Sequence, residues 1–538
     1  MAKAKKKNRF FLILIICILA ILVYRVILTH IIGSKGMAYF SVPNDLYFLL
    51  AISLGFGYEK AVDNLVENYM ARQQYENSKR VVKAGGMVAL AIGLLISFVL
   101  ALAGGKITGG LFGMPLSSMG LYCIIPAITL MALTGVMRGY FSGMNNKSIL
   151  GQSYLIFTAV YLIVGSICSM SVGNYGQKVS ALLKVDDFKF SYGAMGASVG
   201  ILVASVATFI HALVIFILME RRSNYTNGRD YSRSIESIPS LAFTVFINSL
   251  LPFALFGSVM AVPLINQILI LKANKDTDVA IEFIFGEYYG KSFSIAYIIP
   301  ILIAVFSYNL LRKAIGSSYK EEYREAREKL GRMIHRGATF GFFALGMLIV
   351  FADNILDSIF ADNGANTVTY LQVESLSIIF AIFALMFTEI LIQLGYINLT
   401  GVICLASAVI HIVITVLMVS TFKLSIMGAI IGNVIFFAVV AGVCFIIITR
   451  VFQYTQEWFR SFIVSLIGSG VSSLIGLFIN KTIAPMTGKL ISMVIVVLIC
   501  LLVYIVILLA LKGYDEDELE YSAPGRIMLT IGRLFNLI

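Results

Sequence analysis

Fourteen apolar stretches of about 20 residues recur along this 538-residue chain, and they restrict its possible folds more than any other feature. They run over 10–32, 44–69, 84–104, 119–138, 149–171, 193–219, 241–271, 291–311, 337–353, 371–393, 399–420, 424–449, 461–480 and 490–511. At 1.5 Å of rise per helical residue, roughly 20 residues cross the ~30 Å hydrocarbon layer of a bilayer. Inside that layer no water is present to satisfy backbone N–H and C=O groups, so a spanning segment is a helix or part of a closed barrel. Runs this long and this uniformly apolar select the helix. The pattern predicts an all-α polytopic membrane protein with about 14 transmembrane helices. Charged residues make up 13% of the chain, about half the share of a soluble domain, and no attached soluble domain is expected.

The basic stretch Met1–Arg9 followed by an apolar run has the form of a signal peptide. That run continues to Ile32, too long for a signal core, and no small-residue cleavage site closes it. It is read as a retained first span. An even number of spans puts both termini on one side, and the cations say which. The net charge of +12 would suit nucleic acid, but its distribution follows the positive-inside bias instead. With cytoplasmic termini, most of the 41 Lys and Arg fall inside, among them Arg221, Arg222, Arg229, Arg233 and Arg312. The outer cations are all Lys, including Lys106, Lys178, Lys184, Lys189 and Lys275. The chain is therefore placed in the cell inner (plasma) membrane, with anionic lipid headgroups as a secondary attraction and no nucleic-acid partner.

A faint internal repeat suggests how the spans are grouped. Ile124–Met137 and Ile378–Leu391 share five of fourteen positions at an offset of 254, and a Gly-Tyr turn is read after each. The offset equals six spans, as two parallel six-span lobes require. The expected organisation is an N-terminal lobe over 1–219 and a C-terminal lobe over 220–449. Two additional spans over 450–511 and a cytoplasmic tail over 512–538 complete it. Residues 172–193 and 274–290 form the largest external loops. Lys320–Lys329 reads as a solvated linker helix with i,i+4 charge pairs.

Enzyme signatures are missing from the sequence. Gly104–Thr108 lacks Walker A spacing, and the four histidines (His30, His211, His335, His411) form no i,i+4 metal pair. The six cysteines lie far apart within apolar runs, as small buried residues do. No catalytic residue, metal or cofactor is expected. The informative groups are ionisable residues at membrane depth, each costing roughly 2.5–3.5 kcal/mol on insertion scales and marking a pathway by default. Arg25 lies well inside the first span. In the second, Gly55 and Gly57 suggest a bend before Glu59, Lys60, Asp63 and Glu67. Glu59, Asp63 and Glu67 share one face at i,i+4 spacing and are read as lining a wet cavity. Glu389 is a lone carboxylate that would bind a coupling cation or proton, as Asp63 also would, or else pair with a neighbouring helix. Lys272, Lys275 and Lys291 are read as anchors at the outer edge.

Four stretches together carry a resemblance. They are Tyr24–Gly33 with Gly36–Phe40, Gly57–Val66 with Tyr75–Val81, Arg138-Gly-Tyr-Phe-Ser-Gly143, and Asp515–Leu519 with Pro524–Arg526. They resemble the SpoVB-type polysaccharide biosynthesis proteins, relatives of the lipid II flippases in the multidrug/oligosaccharidyl-lipid/polysaccharide exporter superfamily. The resemblance runs over nearly the whole chain, and Arg138, Gly139 and Gly143 carry its most specific part, read as a cytoplasmic turn. It implies two six-helix lobes plus two helices, and export of an undecaprenyl-diphosphate-linked saccharide by alternating access. It also implies cell-wall synthesis proteins as possible partners. Arg25 matches a cation of the family's first span, and Lys60 would supplement it in holding the diphosphate, with Glu59 and Asp63 beside them. A guanidinium fork suits phosphate oxygens.

The sequence departs from that family at Ile18, where a further Arg is usual, and at His30, where a basic residue is usual. The acidic-and-Arg pair expected early in the fifth span is not found in Gln152–Thr158. Substrate identity is what these departures leave most open. A drug or organic-cation antiporter of the same superfamily would rely on Glu59, Asp63 and Glu389 instead. A flippase-like scaffold without transport is a third possibility, and a membrane glycosyltransferase using the same lipid carrier a fourth.

Overall fold

The computed structural model describes residues 2–226, 230–231, 234–274, 281–319, 322–360, 363–364, 366–487, 489–520 and 523–535. Lys275, Arg229 and Arg233, and the side chains of Arg221 and Arg222, lie outside the described residues. Among the described residues every regular element is helical. In order these are α1 (Ala2–Tyr47), α2 (Ser53–Ala71), α3 (Tyr75–Lys106), α4 (Ser118–Gly143), α5 (Lys147–Leu183) and α6 (Asp187–Thr226). Then come α7 (Ile238–Ala273), α8 (Ile281–Glu287), α9 (Phe293–Tyr319), α10 (Tyr323–Ile359), α11 (Thr367–Glu374) and α12 (Ser377–Gln393). The remainder are α13 (Ile397–Val416), α14 (Ser425–Phe452), α15 (Val464–Thr487), α16 (Lys489–Ala510), α17 (Glu516–Glu520) and α18 (Ala523–Leu534). Among the described residues, twelve helical segments are long and apolar enough to cross a membrane, and thirteen if α11 and α12, bent by 42° at their junction, form one span. Their outer faces carry large apolar side chains, such as Leu94, Leu95, Phe98 and Leu102 on α3 and Ile163, Ile167 and Met170 on α5. A lipid solvent accommodates such faces and water does not. The chain is a multi-pass membrane protein.

Packing divides the chain into two compact units, one of residues 1–290 with 397–425 and the other of 291–396 with 426–538. In the first unit, the spans connect with almost no loop. Residues 10–71 form one nearly continuous 62-residue helical path. Its break is Gly33, at φ 68° and ψ 176°, a region of backbone space open essentially to glycine alone. Residues 33–43, expected to lie between spans, turn at Gly33 and continue as helix, and Gly36–Tyr47 are buried. The expected external loop over 172–193 shrinks in the same way. α5 runs to Leu183 and α6 starts at Asp187, and Lys35 of α1 pairs with Asp187.

Close approach of helices depends on small residues, as it does when there is no hydrophobic drive between helices in lipid. Gly135, Gly139 and Gly143 recur every four residues on α4 and face α2. A Cβ on Gly135 would sit 2.2 Å from the Gly55 carbonyl oxygen, and one on Gly139 would sit 2.6 Å from that of Glu59. Arg138–Gly143 is therefore not a turn. It is the end of α4, helical to Gly143, and the chain reverses afterwards at Met144–Asn146, with Asn145 at φ 57°. The helical state follows from the packing, because only a regular i,i+4 stripe presents three bare backbone surfaces to α2. Gly55 and Gly57 face neighbouring backbone (Met131 and Ser249) rather than bending α2. The irregular turn lies just before, a π-helical stretch at Phe48–Ile52.

In the second unit, α10 is the organising element. The expected linker over 320–329 is the start of this helix from Tyr323 onward, continuous with its membrane-crossing part. Met347 and Phe351 of α10 pack with Val496 and Cys500 of α16. Tyr504 of α16 donates its hydroxyl to the Thr339 carbonyl at 2.8 Å. The chain after α16 is fastened by Arg460, which donates to the Gly513 carbonyl at 3.0 Å and pairs with Asp515 at 2.8 Å. Leu519 and Leu529 pack against Leu509.

Substitution of Gly135 by alanine is expected to lower stability by about 1–3 kcal/mol, the usual cost of overpacking, since the obstructing atom is backbone. Gly86→Ala meets nothing within 4 Å and is expected to be neutral or stabilising by up to about 1 kcal/mol. Thermal unfolding of both purified variants in detergent checks the contrast, and equal shifts would refute the close-packing account.

Candidate functional site

The residues singled out in the sequence fall into separate places. Arg25 belongs to a buried polar cluster assembled by the return of the chain at Gly33. Because α1 folds back after that break, Asn44 and Asp45 enter the interior of the first unit rather than a membrane boundary. Both are buried, at 3% and 7% exposure. The short α8 and the turn after it bring Tyr289 alongside, where a Cβ on Gly286 would collide with the Ser34 carbonyl oxygen. The Tyr289 hydroxyl donates to Asp45 Oδ1 at 2.5 Å. Asn44 Nδ2 donates to the same Asp45 oxygen and to the Tyr289 hydroxyl, at 2.9 Å each. The Tyr161 hydroxyl reaches Asn44 Oδ1 at 3.4 Å, and the Tyr161 ring packs on Tyr24 with centroids 4.2 Å apart.

Arg25 closes this cluster from within the first span. Its guanidinium lies 4.6 Å from the centroid of the Tyr289 ring and donates to the Tyr289 carbonyl at 3.0 Å. These two contacts orient the fork. A cation over an aromatic face gains about 0.5–2 kcal/mol depending on desolvation, and the side chain stays half-buried. Asp45 is the largest omission of the sequence reading. The pair Asn44-Asp45 stands at the edge of an apolar run, where polar residues ordinarily meet the headgroups. Only the Gly33 turn moves it inside.

The carboxylate stripe of α2 separates by depth. Glu59 is buried at 7% exposure, Asp63 is half-buried and Glu67 is exposed. Glu59 accepts a long bond from the Tyr154 hydroxyl at 3.5 Å. The same tyrosine ring stacks beneath Arg138, whose guanidinium lies 4.5 Å from its centroid and whose Nε donates to Ser153 at 3.0 Å. Arg138 is itself buried, at 7% exposure. Gly139 explains the proximity, since its bare surface lets α4 lie directly on the Glu59 backbone. Lys60 points elsewhere, with Nζ 5.6 Å from the Phe56 ring centroid, and is half-buried.

Two further expectations change. Lys291 is not an interfacial anchor; it is buried at 4% exposure, with Nζ 5.9 Å from the Phe360 ring. Of the expected external loop over 274–290, residues 281–290 are helical and Phe285–Gly290 are buried, while 275–280 lie outside the described residues. In α12, Glu389 is half-buried and accepts from Gln393 of its own helix at 2.6 Å. His30, at the position where the resemblance expects a base, is exposed and contacts the Val26 carbonyl at 2.8 Å.

No family model matches the chain. Among curated proteins, stage V sporulation protein B of Bacillus subtilis (strain 168) is 21% identical over 194 residues, 36% of this chain and 35% of that protein. Lipid II flippase MurJ of the same organism is 25% identical over 173 residues, 29% of this chain and 30% of that protein. The matching stretches thus span about a third of the length of these relatives. Among solved structures, an inward-facing multidrug resistance MATE family transporter of the MOP superfamily superposes with a TM-score of 0.65. It is 13% identical, over 80% of this chain and 94% of its own. Lipid II flippase MurJ in an inward closed conformation gives 0.64 at 15% identity, over 93% of this chain and 98% of its own.

Tyr289→Phe keeps the ring beneath Arg25 and removes the donor to Asp45. Leaving a buried carboxylate short of one bond costs about 1–3 kcal/mol. A clear drop in thermal stability is expected, whereas Tyr175→Phe at a 59% exposed position should stay within about 0.5 kcal/mol. Indistinguishable unfolding temperatures for the two variants would show that the cluster does not hold the fold together.

Proposed function

Taking the chain as a relative of the SpoVB-type proteins and lipid II flippases, with the fold of the MOP superfamily, we propose that it exports an undecaprenyl-diphosphate-linked saccharide by alternating access. The observation that carries this is Arg25, a guanidinium kept half-buried within a span by an aromatic face and a backbone carbonyl. A diphosphate needs a cation that is oriented in advance, and a planar fork supplies two parallel donors to phosphate oxygens. Lys60, half-buried on α2, would add a second positive point. In this proposal Arg25 and Lys60 hold the headgroup, with Glu59 and Asp63 nearby, while the prenyl tail remains in lipid.

The proposed topology follows from the helices. The 62-residue segment broken at Gly33 is about 93 Å of helix at 1.5 Å per residue, enough for two crossings, and α11 with α12 makes one more. Counted this way there are 14 spans; the proposal sets both termini in the cytoplasm and the chain in the inner membrane, and groups the spans as two six-span lobes over 1–219 and 220–449, two further spans over 450–511 and a cytoplasmic tail over 512–538. Work would come from a gradient or the membrane potential, with Asp63 or Glu389 as a coupling group. Proteins of cell-wall synthesis would be the partners that supply and consume the lipid-linked saccharide.

A second reading, drug or organic-cation antiport, is favoured by one observation. Asp45 is buried and its Oδ2 accepts no hydrogen bond, leaving a carboxylate oxygen in the interior. Drug susceptibility of a deletion strain separates that reading from the first.

Reconstituted into proteoliposomes, the wild-type protein is expected to translocate a lipid-linked saccharide. Arg25→Ala should reduce the rate at least tenfold, and Lys60→Ala several-fold, in keeping with about 1.5–3 kcal/mol for a charge-assisted bond. Transport undiminished in both variants would remove the cationic clamp. Failure of folded wild-type protein on several lipid-linked saccharides would move the assignment to the antiporter or to a scaffold without transport.

A further inference from the structure

Where α9 leaves its apolar stretch and α10 approaches its own, the two helices bound a cavity of about 640 Å³. From α9 it is lined by Phe306, Leu310 and Lys313, spaced four and three residues apart and therefore on one face. From α10 come the cations Lys329, Arg332 and Arg336, spaced three and four apart, again one face. Two carboxylates also line it, Glu325 and Glu328. Each is engaged by a cation of its own helix: Lys329 Nζ lies 2.5 Å from Glu325, and Arg332 is paired with Glu328. Lys313 and Arg336 raise the lining to four cations against two carboxylates.

The register of the two helices sets the depth of this cavity. Phe306 lies inside the stretch Ser292–Leu311, which contains no Asp, Glu, Lys or Arg, and Lys313 lies beyond it, after Arg312. In α10 the charges end at Arg336, and Gly337–Val350 contain no Asp, Glu, Lys or Arg. One end of the groove is thus at hydrocarbon depth and the other at headgroup depth. Phe306 is 53% exposed at the apolar end, which suits an acyl chain and gives a soluble anion nothing to bind. Basic pockets between helices at this level suit lipid phosphates, and guanidinium forks suit their oxygens.

We infer that this groove binds an anionic phospholipid, its phosphate among Lys313, Arg332 and Arg336 and an acyl chain along Phe306 and Leu310. The bound lipid ties the charged first turns of α10 to α9 at the membrane surface, and by binding the folded state it stabilises the protein. The site lies within one compact unit and is independent of Arg25 and of the exported substrate.

The experiment uses the full chain in a neutral detergent, with native mass spectrometry and thermal unfolding read in parallel. Phosphatidylglycerol, phosphatidylcholine and inorganic diphosphate are the three probes. Phosphatidylglycerol is expected to bind in discrete stoichiometry and to raise the unfolding temperature, with the other two doing neither. Each removed cation should weaken it roughly fivefold, so Lys313→Gln with Arg336→Gln loses more than tenfold in affinity. Lys313→Gln alone, at an exposed position, provides the smaller loss should the double variant fold poorly. Phosphatidylglycerol binding no tighter than phosphatidylcholine, or as tightly to Lys313→Gln as to wild type, overturns the site. Inorganic diphosphate matching phosphatidylglycerol overturns its assignment to a lipid.

Discussion

Hydrocarbon offers backbone amides no hydrogen bonds, and the rest of this structure is arranged around that condition. Every described element is helical because the helix satisfies N–H and C=O within the segment. The same condition favours helices that continue through what would be loops in a soluble protein. α5 and α6 are separated by three residues, and the chain between the first two apolar runs breaks at one glycine. A left-handed residue there costs nothing that a longer loop would not also cost in unsatisfied backbone.

With lipid as apolar as leucine, helices gain little from burying side chains and must gain from contact. The glycine stripe of α4 achieves this by laying backbone on backbone along α2. Its consequence reaches the charged residues. Close approach of α4 holds Arg138, Glu59 and Tyr154 in one buried cluster, a neighbourhood in which each charge has an opposite or aromatic partner at hand. A packing feature and an electrostatic one are thereby the same feature, and changing the glycine would disturb both.

The two groups of ionisable residues differ in depth and in partners. Around Glu59 a cation and a carboxylate share one buried site, which suits holding two helices in register. Arg25 lies over the Tyr289 ring and donates to its carbonyl, and the carboxylate Asp45 is held by Tyr289 and Asn44. Arg25 carries the functional proposal because its guanidinium is oriented while half-buried within the first apolar run, while Arg138, at 7% exposure, is assigned to architecture.

The membrane class, the all-helical fold and the position of nearly every span were legible in the chain itself, because hydropathy over 20 residues depends only on local composition. Asp45, Tyr289 and Lys291 were not: each stands at the edge of an apolar run, and edges look alike whether they meet headgroups or the protein interior. The glycines of α4 were visible as residues but not as a packing stripe, since a turn and a helix end can share the letters Arg-Gly-Tyr-Phe-Ser-Gly. Sequence by itself determined which segments enter the bilayer, because transfer from water is a property of each segment alone. Only the tertiary structure decided which polar groups meet inside it, because hydrogen bonds and ion pairs depend on distances between residues far apart in the chain, as Arg25 and Tyr289 are.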